Sequence, residues 1–368
     1  MNKLRSRNWP VFLSVLLLSI IILLTGCGAR QASGPEDDPT KTVKVDGTSI
    51  SPITATQKKF NRELLKLYPN LKPAMSKDPR PRLYVIPGLK TTKTLKMNAK
   101  STVGISKKMD PQGLAITPKY VIISAYSRDK QYHSVLFLLS KKTGRYLKTI
   151  VLPRNSHVGG LAYDTKYHRL WVTTETTAQQ ASLSAYNLAT LKKADFARHH
   201  RATKFDQIVT LPQLKRASYA TYYGGKILVG YFDQGGQGSL MAYPVNQNGL
   251  PDTTQAAATQ LRGAHNYTTV NRLQGVSVTA NQLLFSQSFG QQSSKLISFD
   301  NDGSKTWIDF DADDVVKSAT LPPYMEQTAV DGDDIYVLFE SAAEKYRHVD
   351  LDFHADRVVK LDLKPLLK

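Results

Sequence analysis

The stretch Gln112-Gly113-Leu114-Ala115-Ile116-Thr117 recurs in altered form along the chain. Its counterparts are His157-Val158-Gly159-Gly160-Leu161-Ala162-Tyr163, residues 217–223, Gln274-Gly275-Val276-Ser277-Val278, and Glu326-Gln327-Thr328-Ala329-Val330. Each opens a series of short period-two runs rich in Val, Ile, Leu and Tyr. In the first unit the runs are 120–126, 134–139 and 146–152, with the turn Lys141-Lys142-Thr143-Gly144 between the last two. The later units give 169–173 and 182–188; 227–232 and 239–244; 282–286, 295–299 and 305–310; and 334–339 and 357–363. The units start near 112, 157, 217, 274 and 326, at spacings of 45, 60, 57 and 52.

Four short strands in a unit of about 40–50 residues mark a β-propeller blade. One four-stranded sheet cannot bury both of its faces. Sheets stacked around an axis bury one another, and small residues at the inner strands, such as Gly113, Gly159, Gly160, Ser218 and Gly275, fit the narrow centre. The expectation is an all-β chain with a single propeller over residues 80–368, five-bladed, with six blades as the alternative and a pair of β-sandwiches as the less fitting architecture. Residues 83–86 and 91–95 also look strand-like. They either complete the last blade and close the ring or belong to a sixth, degenerate blade.

The N-terminus has a different character. Lys3, Arg5 and Arg7 precede an uncharged run at residues 11–24, broken only by Ser14 and Ser19. As a helix, those 14 residues span about 21 Å. That falls short of a hydrocarbon core of roughly 30 Å and suits a signal-peptide core over residues 1–26. Cys27 follows in Leu24-Thr25-Gly26-Cys27 and is the only cysteine of the chain. This arrangement resembles the lipobox of bacterial lipoproteins. The resemblance implies diacylglycerol on the Cys27 sulfur, cleavage just before it, and a lipid-anchored protein on the extracytoplasmic face of the cell membrane. Two acyl chains suffice for stable anchoring. An exported chain without a second cysteine has no internal disulfide and depends on its core.

Residues 27–52 are rich in Gly, Ser, Thr, Pro and Asp and read as a flexible tether reaching roughly 25–30 Å. Residues 53–79 carry Phe60, Leu64 and Leu67 at helical spacing before Pro69, a short amphipathic helix that packs on the main domain. The 49 basic residues outnumber the 30 acidic ones, a net charge of +19. Such a chain favours anionic neighbours. For an exported protein these are anionic envelope polymers or headgroups rather than nucleic acid, and the basic pairs are too scattered for a nucleic-acid stripe. A monomer is expected.

The propeller portion resembles lactonase-like and gluconolactonase-like secreted propellers in its repeat pattern. Gln112-Gly113, the run His157 through Tyr163-Asp164, and Leu338-Phe339-Glu340-Ser341 are similar to those of a group of exported Gram-positive propellers. The resemblance implies a fold and a location and carries no activity.

Propeller ligands bind where the channel opens. The unit starts supply Gln112, His157, Gln274, Glu326 and Gln327. The ends of the second strands supply Glu175, Asp233, Gln287 and Glu340. If both rings meet at one mouth, they make an amide-rich pocket suited to a hydroxylated ligand. The competing reading is structural: recurrent buried amides hydrogen-bond neighbouring blades and close the ring. The leading expectation is a binding or scaffolding propeller for a sugar-like or envelope ligand or a protein partner. The alternative is a carboxylate-centred hydrolase or lactonase, with Glu175, Asp233, Glu326 and Glu340 as its acids and Ca²⁺ as the fitting cation if a metal takes part. Neither Gly-x-Ser-x-Gly nor His-Glu-x-x-His occurs. Asp309-Phe310-Asp311-Ala312-Asp313 opens like an EF-hand loop but has Asp314 and Thr320 where that loop needs Gly and Glu, so no metal or other cofactor is assigned.

Overall fold

A computed structural model describes residues 43–50, 57–75, 84–234, 237–254, 267–301 and 315–368. They form a five-bladed propeller of four-stranded antiparallel sheets. Blade one consists of Met109–Ile116, Tyr120–Ser127, Val135–Ser140 and Tyr146–Val151. Blade two is Leu161–Asp164, Arg169–Glu175, Ala181–Asn187 and Gln207–Thr210, and blade three is Tyr219–Tyr223, Lys226–Tyr231, Gln237–Pro244 and Tyr267–Asn271. Blade four is Leu273–Val278, Gln282–Gln287, Ser294–Asp300 and Lys317–Leu321. Blade five takes Met325–Asp331, Asp334–Phe339 and Arg357–Asp362 from the C-terminus and its outer strand, Tyr84–Val85, from far upstream. Arg357 pairs with Val85 and Val358 with Tyr84, which closes the ring.

The strand-like piece at 83–86 therefore completes the last blade. The piece at 91–95 does not found a sixth: Thr92–Leu95 pairs with Val103–Ser106 as a separate hairpin. The outer strands of blades two and three lie beyond long connections and have weak patterns. Residues 305–310, read as the outer strand of blade four, lie outside the described residues, and Lys317–Leu321 fills that role.

The core is divided among the seams between blades, as the alternating sequence pattern demands. Leu114 and Phe137 meet Tyr336 and Leu338 between blades one and five. Ile122 and Leu136 meet Leu161 and Leu170 between one and two. Trp171 and Leu183 meet Val229 and Tyr243 between two and three. Tyr219 and Leu240 meet Val276 and Phe285 between three and four. Leu284 and Leu296 meet Ile335 and Val337 between four and five.

The segments before the ring seal this last seam. Helix α1 (Gln57–Leu67) buries Phe60 and Leu64, and Phe60 stacks on Phe353 with ring centroids 5.0 Å apart. Leu67, expected on the same face, is exposed. The chain tightens into a 3₁₀ turn at Pro69–Ala74, and Leu71 takes the buried place instead. The guanidinium of the fully buried Arg357 lies 4.4 Å over the Phe60 ring, pairs with Asp356 at 2.7 Å and donates to Gln57 Oε1. Residues 43–50, read from composition as the end of the tether, instead form a hairpin, Val43–Val45 with Thr48–Ile50. Ile50 packs on Val85, while the Ser49 carbonyl accepts from Gly88 N and its hydroxyl accepts from Thr91 N. These bonds satisfy the polar groups that made the segment look unable to fold.

One side chain ties the axis together. Gln327 Nε2 donates to the carbonyls of Leu161 and Ala220, each at 2.7 Å. Its Oε1 accepts from Leu114 N at 2.9 Å and Leu161 N at 2.8 Å. A blade-five amide thus bonds the inner strands of blades one, two and three. Blade four closes the circle by approach: a Cβ on Gly275 would stand 2.8 Å from the Gln327 Cα. Gly113 is equally confined, with the Ser124 hydroxyl 2.5 Å from where its Cβ would be. That hydroxyl accepts from Gly113 N and donates to Val158 O in blade two.

Replacing Gln327 by Ala orphans two buried N–H groups and two buried carbonyls. At about 1–3 kcal/mol for each buried group left unpaired, with partial rescue by water, Gln327→Ala should cost about 3–5 kcal/mol in urea unfolding. Gln327→Glu keeps the shape but sets a carboxylate against two carbonyls, and should destabilise at least as much.

Candidate ligand-binding site

The inner strands of blades one, four and five all slip register at their starts. The irregularities fall between Pro111 and Leu114, between Leu273 and Gly275, and between Met325 and Thr328. A bulge re-aims the residues it contains. This explains why Gln112, Gln274 and the pair Glu326-Gln327 recur at unit starts: each occupies a bulge. Backbone strain gathers nearby. Val158, Arg272 and Tyr324, just before the inner strands of blades two, four and five, have φ of 52°, 60° and 59°. A β-branched or bulky side chain in that region is held there by its surroundings.

Blades five and one meet in a buried carboxylate cluster. Glu326, Glu340 and Asp110 are 3%, 8% and 1% exposed. Glu326 and Glu340 hydrogen-bond each other directly, which requires a proton between them. Burial, then the charge of Glu340, pushes the Glu326 carboxyl well above the usual range. Glu340 Oε2 takes a 2.9 Å bond from Gln112 Nε2, and the Tyr346 hydroxyl donates to Glu340 as well. Burial, then the Asp110 charge, raises Glu340 to about 7, while its donors pull the other way. Asp110 is raised to about 6, chiefly by burial, against the attraction of Arg128 and Lys345. Asp110 Oδ1 has no hydrogen-bond partner.

Aromatic rings surround this cluster. Tyr126 pairs with Asp110 across blade one, and its phenol is held neutral by burial and by Asp110, Glu340 and Glu326. Its ring packs on His157 with centroids 4.5 Å apart. His157 is solvent-exposed by area, yet protein atoms crowd it enough, with Arg216, to push its pKa down toward 4. Tyr324 and Tyr346 form a second ring pair at 4.3 Å. Arg128 bridges to Glu344, and Lys345 lies over the Tyr346 ring.

Of the nine positions singled out from sequence, the structure brings Gln112, Glu326 and Glu340 into one hydrogen-bonded group and sets His157 beside it through Tyr126. Gln327 sits next to Glu326 but is spent on the axis. Glu175 ends the second strand of blade two, half-buried, with no described bond to the cluster. Asp233 follows the second strand of blade three, and its backbone carbonyl accepts from Arg272 N. Gln274 is half-buried in its bulge, and Gln287 Nε2 donates to the Asn271 carbonyl at 3.0 Å. These four do not join the carboxylates. Asp110 and Tyr346 were missed, whereas Tyr126 is marked in the sequence by its place at the end of the second strand of the first unit. Asp110 lies two residues before Gln112 on the same strand, the one signal that pointed to it. Among the described residues, no group of three or more His, Cys, Asp or Glu is arranged to hold a metal ion.

Carboxyl groups raised on folding make the native state bind more protons than the unfolded chain. Their contribution is fully present below about pH 4 and falls away as pH rises through 6 and 7. Thermal melting should therefore show stability lost between pH 5 and 7.5, and Glu340→Gln, which cannot ionise, should flatten that slope.

No described protein family matches the chain, and no curated protein matches it by sequence. Solved structures are similar at low identity. A functionally unknown protein from Desulfotomaculum acetoxidans is 13% identical over 69% of this chain and 71% of its own, with a TM-score of 0.37. A nidogen/laminin complex gives 12% identity over 68% and 84%, with a TM-score of 0.38. A provisional 6-phosphogluconolactonase from Bacteroides uniformis gives 11% over 61% and 62%, with a TM-score of 0.34.

Proposed function

We propose that this chain is an extracytoplasmic lipoprotein, anchored through Cys27, whose propeller binds a hydroxylated, sugar-like ligand at the mouth formed by blades one and five. The observation that carries the binding reading is the Glu326–Glu340 pair: the two carboxyls share a proton, Gln112 and Tyr346 donate to Glu340, and the unpartnered Asp110 Oδ1 lies nearby. The Tyr126 and His157 rings supply an apolar wall for a sugar face.

The alternative of a hydrolase has its own support. Two carboxyls sharing one proton, one with a pKa near 7, are equipped to take and return a proton. Separation weighs against it. Glycoside hydrolysis needs carboxyls about 5–9.5 Å apart, and a directly hydrogen-bonded pair is too close to flank a scissile bond. Asp110 is the one other buried carboxyl of the cluster among the described residues, so binding is the better reading.

Saturation-transfer NMR with maltotriose, cellobiose and chitotriose tests it. At least one should give a signal that Glu340→Gln and His157→Ala each weaken about tenfold, an effect of about 1.4 kcal/mol. No signal from any of them, or one indifferent to both substitutions, defeats the reading. New reducing ends released by the native protein and not by Glu340→Gln replace it with hydrolysis. For the anchor, radiolabelled palmitate should enter the chain in its native host and be lost in Cys27→Ser.

A further inference from the structure

Between the third and fourth strands of blade two the chain makes a long excursion, residues 188–206. It accounts for the 60-residue spacing after His157. Two short helices, α2 (Leu188–Lys193) and α3 (Phe196–His199), are pinned by the buried Leu191 and Phe196. Thr203 N donates to Val151 O, so the excursion covers the outer edge of blade one. The Tyr186 hydroxyl donates to Thr203 O, and Asp206 accepts from Asn187 N and the Thr190 hydroxyl. It is a braced platform, and the side chains left outside are mostly basic: Lys192, Lys193, Arg198, Arg201 and Lys204 are exposed, against Asp195 and Asp206.

A pocket of about 310 Å³ opens between this platform, the outer strand of blade one and the 43–50 hairpin. Lys148, Lys192 and Lys193 line it, with Asp46 and Asp195 as its acids. Asp195 is occupied, accepting from Arg198 N as the cap of α3. Lys148 Nζ is recessed, held by the carbonyls of Lys192 and Ala194 at 2.8 and 2.7 Å. Those two bonds leave the third ammonium proton for a ligand. Burial lowers the Lys148 pKa against the attraction of Asp195, and an added anion would act on the lysine in the same direction as Asp195. Lys93 extends the basic surface from the other side: its stem lies against Gly47, and Nζ is 3.4 Å from His200 Nε2.

We infer that this pocket is a second binding site, distinct from the channel mouth, for a phosphodiester-linked polyol polymer, one phosphate entering toward Lys148 while flanking phosphates run along Lys192, Lys193 and the Arg198–Arg201 loop. The volume suits a phosphate with its neighbouring polyol units. A flat bilayer meets the rim lysines, but a recessed ammonium requires a group that enters. The site stands independently of the channel-mouth reading, and saturating either should leave the other unchanged.

The test is calorimetry on the full chain in neutral detergent at low salt, with a short poly(glycerol phosphate) as probe. The native protein binds, with affinity falling steeply as salt rises. Lys192→Ala/Lys193→Ala weakens binding at least tenfold, the double arginine variant retains it, and Lys317→Ala, an equally exposed lysine on blade four, leaves it unchanged. Both lysines are exposed, so the double alanine variant should melt like the native protein. Absence of binding overturns the proposal, as does equal loss in Lys317→Ala, which means diffuse attraction. Polyglutamate binding as tightly removes the phosphate specificity. Phosphatidylglycerol vesicles that compete at equal phosphate concentration, with the same lysine dependence, assign the surface to lipid and overturn the polymer.

Discussion

The ring depends on one buried amide. A propeller axis is a place where backbone strands converge with their inner edges facing one another, too narrow for water to satisfy every polar group. Gln327 resolves this with the four bonds a carboxamide can make, spent on blades one, two and three, while Gly275 lets blade four approach. The bonds join strands more than a hundred residues apart in sequence, so this side chain has its geometry only when the ring is complete. Few side chains have two donors and an acceptor of this reach. Glutamate lacks the donors, and lysine lacks the acceptor.

The same local device makes the site. A bulge puts two residues where the ladder has room for one, and in blade five those residues are Glu326 and Gln327. One turns to the axis and the other to Glu340. Structure and chemistry are thus adjacent in sequence and separated by a single peptide. The carboxylates persist in the interior because the protein supplies a proton and neutral donors rather than a cation. That keeps the net charge of the pair low and its hydrogen-bonding capacity high.

The fold was legible because its physics is local and repeated: glycine or small residues where inner strands crowd, period-two apolar runs where sheets stack, Gly and Asp where hairpins turn. The outer strands of blades two and three were not, because long excursions separate them from their sheets and exposed edge strands need no strong apolar pattern. For the site, sequence marked Gln112, Glu326, Glu340 and Gln327 as equals. Nothing local distinguishes the glutamine that plugs an axis from the one that binds a carboxylate, since the difference lies in partners more than 100 residues away. Asp110 was hidden for a related reason, as its burial arises from blade five. The basic clusters Lys192-Lys193 and Arg198–Arg201 seemed scattered in sequence, and only folding gathers them with Lys148 and Lys93.

The outer strand of the last blade comes from Tyr84–Val85, while its partner, Arg357–Asp362, lies at the far end of the chain. The other strand pairings of the ring can form in chain order. This one must wait for Arg357–Asp362, and closing so long a loop carries a large entropic cost that no local contact offsets beforehand. Until then the Tyr84–Val85 strand and the flank of blade one stand as open edges, available to a neighbouring molecule in the same state. The clasp that gives the closed ring its unity therefore imposes a chaperoning problem on the open one: it is most prone to associate wrongly just before Arg357–Asp362 joins it.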